Sequence, residues 1–219
     1  MIPQQVFTEI QSIIRRMIEV GLSNQQNYPS IRNAGRDTSE IGIAGAPSIS
    51  VSMKDRPYTE IYDELDKARA YHLRMIDGAL LQMCYRFEKR RITAHRLCVF
   101  PAPYLELFDT DPESYDKDEL YADIVGKNIV HVPIRFDFDA SDSKHVDVKH
   151  PKSHLTLGQY LNCRIPVNAP ITPARFIKFV LRNFYYTAFH AGNLETINST
   201  FKFGETLTVA ERSITHVTC

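Results

Sequence analysis

Histidine, arginine and aspartate concentrate between residues 129 and 167, and they fall at alternating positions. From Asn128 to Asp139, Val130, Val132, Ile134, Phe136 and Phe138 share one parity. His131, Pro133, Arg135, Asp137 and Asp139 share the other, which is the pattern of a strand with one buried face. A turn at Ala140 to Ser143 leads into a second alternation, with Val146 and Val148 inward and His145, Asp147 and Lys149 outward. Beyond His150-Pro151-Lys152-Ser153, Leu155 and Leu157 are expected inside, with His154 and Thr156 outside. Tyr160 to Val167 reads as a last strand, with Leu161, Cys163, Ile165 and Val167 inside and Asn162 and Arg164 outside. A short antiparallel meander gathers His131, Arg135, Asp137, Asp139, His145, Asp147, His154, Thr156 and Arg164 on one face.

An ordinary solvated face carries mostly Thr, Lys, Glu, Ser and Gln, and charge pairs that set strand register are the plain account of this one. Three other uses fit the residue types. In the first, His154 and either His131 or His145 exchange protons with a phosphodiester while Arg135 and Arg164, beside Thr156, hold the phosphate. In the second, Asp137, Asp139 and His154 bind a divalent ion that activates water. In the third, Arg and His contact a nucleic acid or a protein partner without chemistry. Imidazole outnumbers well-spaced carboxylate between His150 and Arg164, which favours the first over the second. The His-x-Thr-x pattern occurs at His154 and again at His216, but the second copy is the last four residues, where chains tend to fray. A glycine-rich phosphate loop, a serine nucleophile elbow and an HExxH zinc motif are all missing.

The elements around this segment can be read more coarsely. Val6, Phe7, Ile10, Ile13, Ile14, Met17 and Ile18 form one apolar helical stripe that Gly21 stops. Residues 22–47 lack periodicity and read as a long loop. Ile61, Leu65, Ala68, Met75, Leu80 and Met83 predict a second helix from Thr59 to Arg86, with Thr59 as N-cap and His72 packed beside its stripe. Strands begin near Arg91, and the sheet is expected over residues 91–167. Residues 104–124 are acidic and read as a solvated loop or short helix, or as a docking surface for a basic partner. Thr172-Pro173 predicts the start of a deeply buried helix over 172–188. The tail 191–219 offers Phe201, Phe203 and Leu207-Thr208-Val209 for a hairpin.

The expectation is therefore a single α+β domain over 1–219: helix plus loop to residue 58, core over 59–190, and a terminal hairpin or tail. N-terminal helices and the buried C-terminal helix should pack on one face of a mainly antiparallel sheet. The 26 basic and 26 acidic residues cancel, so a nucleic-acid contact requires a local patch rather than a global field. The cysteines Cys84, Cys98, Cys163 and Cys219 lack metal-finger spacing and read as reduced thiols. Residues 1–5 lack the basic start of a secretory signal, and no apolar run reaches 18 residues, so a cytosolic protein without membrane contact is expected.

Arg135-Phe136-Asp137-Phe138-Asp139, His150-Pro151-Lys152-Ser153-His154-Leu155-Thr156-Leu157-Gly158 and Cys163-Arg164-Ile165-Pro166-Val167 occur together with Thr172-Pro173-Ala174-Arg175-Phe176 and Leu181-Arg182-Asn183-Phe184-Tyr185. Over residues 130–186 this combination resembles a bacterial family described only as a domain of unknown function. The resemblance implies an accessory or effector protein of a mobile or defence-type locus, such as an antiviral system or a toxin–antitoxin pair. It assigns no activity, cofactor or catalytic residue. Two functions are expected from it: an effector that cleaves nucleic-acid phosphodiesters, or a non-enzymatic subunit that joins a larger ATPase or nuclease of the same locus. In the second, residues 22–47 and 104–124 are the contact surfaces.

Overall fold

The computed structural model describes residues 2–45, 56–105, 111–124 and 132–219. The first helix, α1 (Ile2–Glu19), buries Val6, Ile10, Ile13, Ile14 and Met17 along the stripe its spacing predicts. It ends as expected at Gly21, whose φ of +73° suits glycine. There the Gly21 and Leu22 amides bond back to the Ile18 and Met17 carbonyls, which satisfies two carbonyls that the helix end leaves open.

Among the described residues nine strands form one antiparallel sheet: β1 (Ser23–Gln26), β2 (Pro29–Gly35), β3 (Thr38–Ile43), β4 (Leu73–Met75), β5 (Leu80–Glu88), β6 (Arg91–Phe100), β7 (Ile134–Asp139), β8 (Ser153–Leu157) and β9 (Ile165–Pro166). Their order is β1-β4-β5-β6-β7-β8-β9, and the β2–β3 hairpin joins through β3 to the far half of β5. The fold class is α+β, as the sequence predicts. The sheet starts at Ser23 rather than near residue 91, so the expected loop over 22–47 holds three strands up to Ile43, while 46–47 lie outside the described residues. Their apolar alternation is missing because β2 exposes most of both faces and buries only Pro29.

The expected helix over 59–86 is also corrected. The helix α2 covers Tyr58–Lys67 without a side-chain cap, and the chain then turns into β4 and β5. Asp77-Gly78 makes the hairpin turn, with Gly78 at φ +83° and its amide bonded to the Met75 carbonyl. A side chain there would also begin 3.0 Å from Ala102 Cβ. Leu81, Met83, Tyr85 and Phe87 fit a two-residue period, and pairing from Leu80–Phe100 to Glu88–Arg91 settles the choice for strand.

Of the acidic segment, α3 (Pro112–Lys117) and a short 3₁₀ turn are helical, while residues 106–110 lie outside the described residues. The helix α4 (Pro173–Phe184) starts at the predicted cap, where Thr172 accepts from the Arg175 amide. It is followed by α5 (Tyr186–Ala191) and the short α6 (Val209–Arg212). The tail forms no hairpin among the described residues. Instead α6 and a parallel bridge between Val167 and Val217 hold it.

One face of the sheet, carrying Leu81, Met83, Tyr85, Leu97, Val99 and Phe136, packs against α1 and α4. Tyr85 and His95 grip the start of α4 from below: the tyrosine hydroxyl donates to the Ile171 carbonyl at 2.9 Å, and His95 Nε2 accepts the Ile171 amide at 3.0 Å. His72, read above as lying beside a helix, is instead fully buried between α2 and β4, where Nδ1 accepts the Met83 amide at 3.1 Å. The helix α2 covers one end of the opposite face through Leu80, Cys98 and Phe100. Among the described residues no helix covers the rest of that face. No helix among the described residues is long and apolar enough to cross a membrane.

Candidate functional site

Antiparallel pairing sets the side chains of the face opposite α1 and α4 in rows across the strands, because paired residues point the same way. One row runs Gln82, Cys98, Arg135, Thr156, and the next runs Cys84, Arg96, Asp137, His154. Together they floor a cleft of about 1070 Å³. Its walls come from the β2–β3 hairpin, the turn at 144–152 and the loop after β8. Arg32, Arg86, Arg96, Arg135, Lys144, Lys152 and Arg164 line it against Glu40, Asp137 and Asp139. The chain as a whole is neutral, so this excess of cations is local.

Asp137 is the hub. Arg96 Nε donates to Oδ1 at 3.0 Å, Arg135 Nε lies 2.5 Å from Oδ2, and His154 Nε2 lies 3.9 Å from the same oxygen. Burial works against its charge, but Arg96, Arg135 and His154 together outweigh that and hold the carboxyl below the usual carboxylate range. One carboxylate thus serves two guanidinium groups, leaving a surplus positive charge at the floor.

His154, only 6% exposed, is held in one tautomer. Its Nδ1 is 2.9 Å from the Pro151 carbonyl oxygen, which can only accept, so Nδ1 carries the hydrogen and Nε2 the lone pair. Burial is the main cause that lowers its pKa, with His150 and Arg164 acting in the same direction against Asp137 and the Pro151 carbonyl. At neutral pH it is therefore an uncharged base. The His150 ring meets the His154 ring edge-on at 5.3 Å between centroids, and its pKa is lowered by burial and by Arg164.

Several expectations change here. His154, Arg135, Asp137, Thr156 and Arg164 come together as the alternation predicts, yet His154 and Thr156 are buried rather than solvated. The partner imidazole is His150, whereas His145 sits at the rim, bonded to Glu211. His131 lies outside the described residues. The stretch 145–149 is a tight turn, not a strand, so Val146 and Val148 are exposed, with Val148 forced to φ +65°. Only Ile165 and Pro166 of the expected last strand pair with β8, which leaves Leu161 exposed. Val132 and Leu157, expected inside, are exposed as well.

The divalent-ion alternative loses its geometry. Asp137 is engaged by two arginines, and Asp139 accepts from the Ser141 amide and from Lys144. Among the described residues Asp137, Asp139 and His154 do not converge as a ligand set. Arg96, Gln82 and His150 escaped the sequence reading. Arg96 was legible, since Ala94, Arg96 and Cys98 alternate with the inward-facing His95, Leu97 and Val99.

Two further groups at the floor are buried without a hydrogen-bond partner among the described residues, Gln82 Oε1 and Thr156 Oγ1. Both belong to the row that contains Arg135. At the mouth, Tyr160 is 73% exposed, and its ring passes close above Gly158, whose φ is +62°.

Comparison with known proteins returns no match among curated proteins and none among solved structures. A family model matches residues 22–219, which takes in the whole sheet and the cleft. The chain belongs to the family described as "Uncharacterized conserved protein (DUF2290)".

Proposed function

We propose that the cleft binds single-stranded RNA and cleaves it without a metal ion. The observation that carries this reading is His154: a neutral imidazole with its tautomer fixed, its Nε2 3.9 Å from Asp137 and its ring against that of His150, on the floor of a cationic cleft. Arg135 and Arg164 hold the phosphodiester. His154 Nε2 takes the proton of the ribose 2′-hydroxyl, the 2′-oxygen attacks phosphorus, and the bond to the 5′-oxygen breaks as His150 returns a proton to it. The products are a 2′,3′-cyclic phosphate and a free 5′-hydroxyl. Burial first, and then the guanidinium of Arg164, lower the His150 pKa, and the negative charge of a bound phosphate opposes both, so that His150 can hold the proton it returns.

Two features favour a single strand. Tyr160 offers an exposed ring at the cleft mouth on which a base can stack, and Gln82 and Thr156 offer buried polar atoms that a base or ribose can satisfy. Tyr160→Ala is expected to weaken binding of single-stranded RNA by about 1–3 kcal/mol and to leave folding unchanged. Fluorescence anisotropy with a labelled oligonucleotide reads this directly, and equal affinity in both proteins rules out stacking there.

The deciding experiment incubates untagged protein with single-stranded RNA in EDTA and examines the ends produced. Cyclic phosphate ends that depend on the protein support the proposal, and the absence of such cleavage overturns it. Arg164 has no carboxylate within ion-pair distance among the described residues. Arg164→Ala should therefore weaken binding across all sequences and lower the salt dependence, log K against log salt, by about 0.7. An unchanged slope would remove Arg164 from the phosphate clamp.

A further inference from the structure

A second cluster joins the turn at 145–150 to α6. His145 Nε2 lies 3.2 Å from Glu211 Oε1, and the ligand atoms of His145, Asp147 and Glu211 all lie within 4.8 Å of one another. The Glu211 side chain is 1% exposed, yet no Lys or Arg pairs with it or with Asp147 among the described residues. Buried carboxylates are ordinarily paired with a cation or bound to a metal. Here two carboxylates face one imidazole, so even a protonated His145 leaves the cluster negative.

Both carboxylates are also oriented from behind by one residue. Thr208 Oγ1 donates to Asp147 Oδ1 at 2.5 Å, and the Thr208 amide donates to Glu211 Oε2 at 3.1 Å. Shared outer partners of this kind fix the ligands of metal sites. We propose that His145, Asp147 and Glu211 bind one divalent transition-metal ion of the zinc or manganese class. One imidazole nitrogen and two carboxylate oxygens match that class better than calcium or magnesium, which prefer oxygen alone. Ligand atoms about 2.1 Å from a tetrahedral zinc lie about 3.4 Å apart, so closure from separations of up to 4.8 Å takes a shift of about 1–1.5 Å, which the exposed Asp147 can make. The ion clamps the C-terminal segment to the turn that ends at His150. It does not rest on the RNA-cleaving reading.

The test is calorimetric titration of untagged, EDTA-stripped and desalted full-length protein with zinc and with manganese. One saturable equivalent of either ion is expected. Asp147→Asn keeps the size of the side chain and its bond to Thr208, and should weaken binding by more than the ~10-fold that loss of an outer partner costs. His154→Ala should bind as wild type does. Absence of saturable binding by both ions overturns the site. So does an Asp147→Asn protein that binds like wild type, or binding lost in His154→Ala alone, since either places the ion elsewhere. Because RNA cleavage is assayed in EDTA, failure here leaves that proposal standing, and the reverse also holds.

Discussion

His154→Ala is expected to lower the rate of RNA cleavage by about 10²- to 10⁴-fold, the range for removing a general base. Binding should change little, because the arginines that hold the phosphate remain. His154 is buried, so alanine also leaves a cavity, and His154→Gln is the companion variant. Glutamine keeps most of the volume but takes no proton, and it should be as inactive as alanine while unfolding at nearly the wild-type temperature. The pH profile gives a third readout. A base must be deprotonated to act, and burial places the His154 pKa below 6.5, so activity should persist below pH 6.5 before it falls. A profile that collapses already at pH 7 would contradict the neutral imidazole. If the protein is an effector of the kind its family resemblance implies, induced expression should arrest bacterial growth and His154→Ala should relieve the arrest. Cleavage equal in wild type and both variants would remove His154 from the chemistry.

The site was half legible in the sequence, for a physical reason. In β7 and β8 polar and apolar residues alternate, so Arg135, Asp137, His154 and Thr156 stood out against Ile134, Phe136 and Leu155, although in β8 both sets are buried. The other half of the floor comes from β5 and β6. Leu80 and Met83 suit a helical stripe as well as a strand, and only pairing with β6 decides between the two. Misplacing β5 hid Gln82, although Asp77-Gly78 marked the hairpin turn. In the β2–β3 hairpin β2 is largely exposed and β3 buries only Ile41, so hydrophobic alternation could not report it. His150 was hidden differently, because it lies in a turn before Pro151 and only the fold brings its ring against His154. The turn at 145–149 misled because Val146 and Val148 mimic a strand while the backbone at Val148 is left-handed.

Lowering the pH from 7 to 5 is expected to remove about 4 kcal/mol of stability through His72 and His95, a large part of the roughly 5–15 kcal/mol of a typical domain. Both rings are buried, and burial lowers their pKa values to about 3 and about 4. Each also accepts a backbone amide, from Met83 and from Ile171, through a lone pair that protonation would take away. The unfolded chain binds these protons near pH 6.5, so below that pH it holds more protons than the folded chain, and stability falls as pH falls. The loss continues until pH reaches the folded values. Half-buried Glu9 and Asp77, whose pKa values desolvation raises, act with the opposite sign, while His150 and His154 act with the same sign. The difference between wild type and variant therefore isolates each histidine. His72→Asn and His95→Gln place an amide oxygen near Nδ1 and Nε2 respectively, so each keeps an acceptor for its amide and loses the titration. Urea midpoints at pH 7 and pH 5 should show each variant losing about 2 kcal/mol less than wild type across that interval. Equal losses in wild type and both variants would mean that these rings gain protons in the fold as easily as in the unfolded chain. The grip of His95 on the start of α4 would then tolerate a charge.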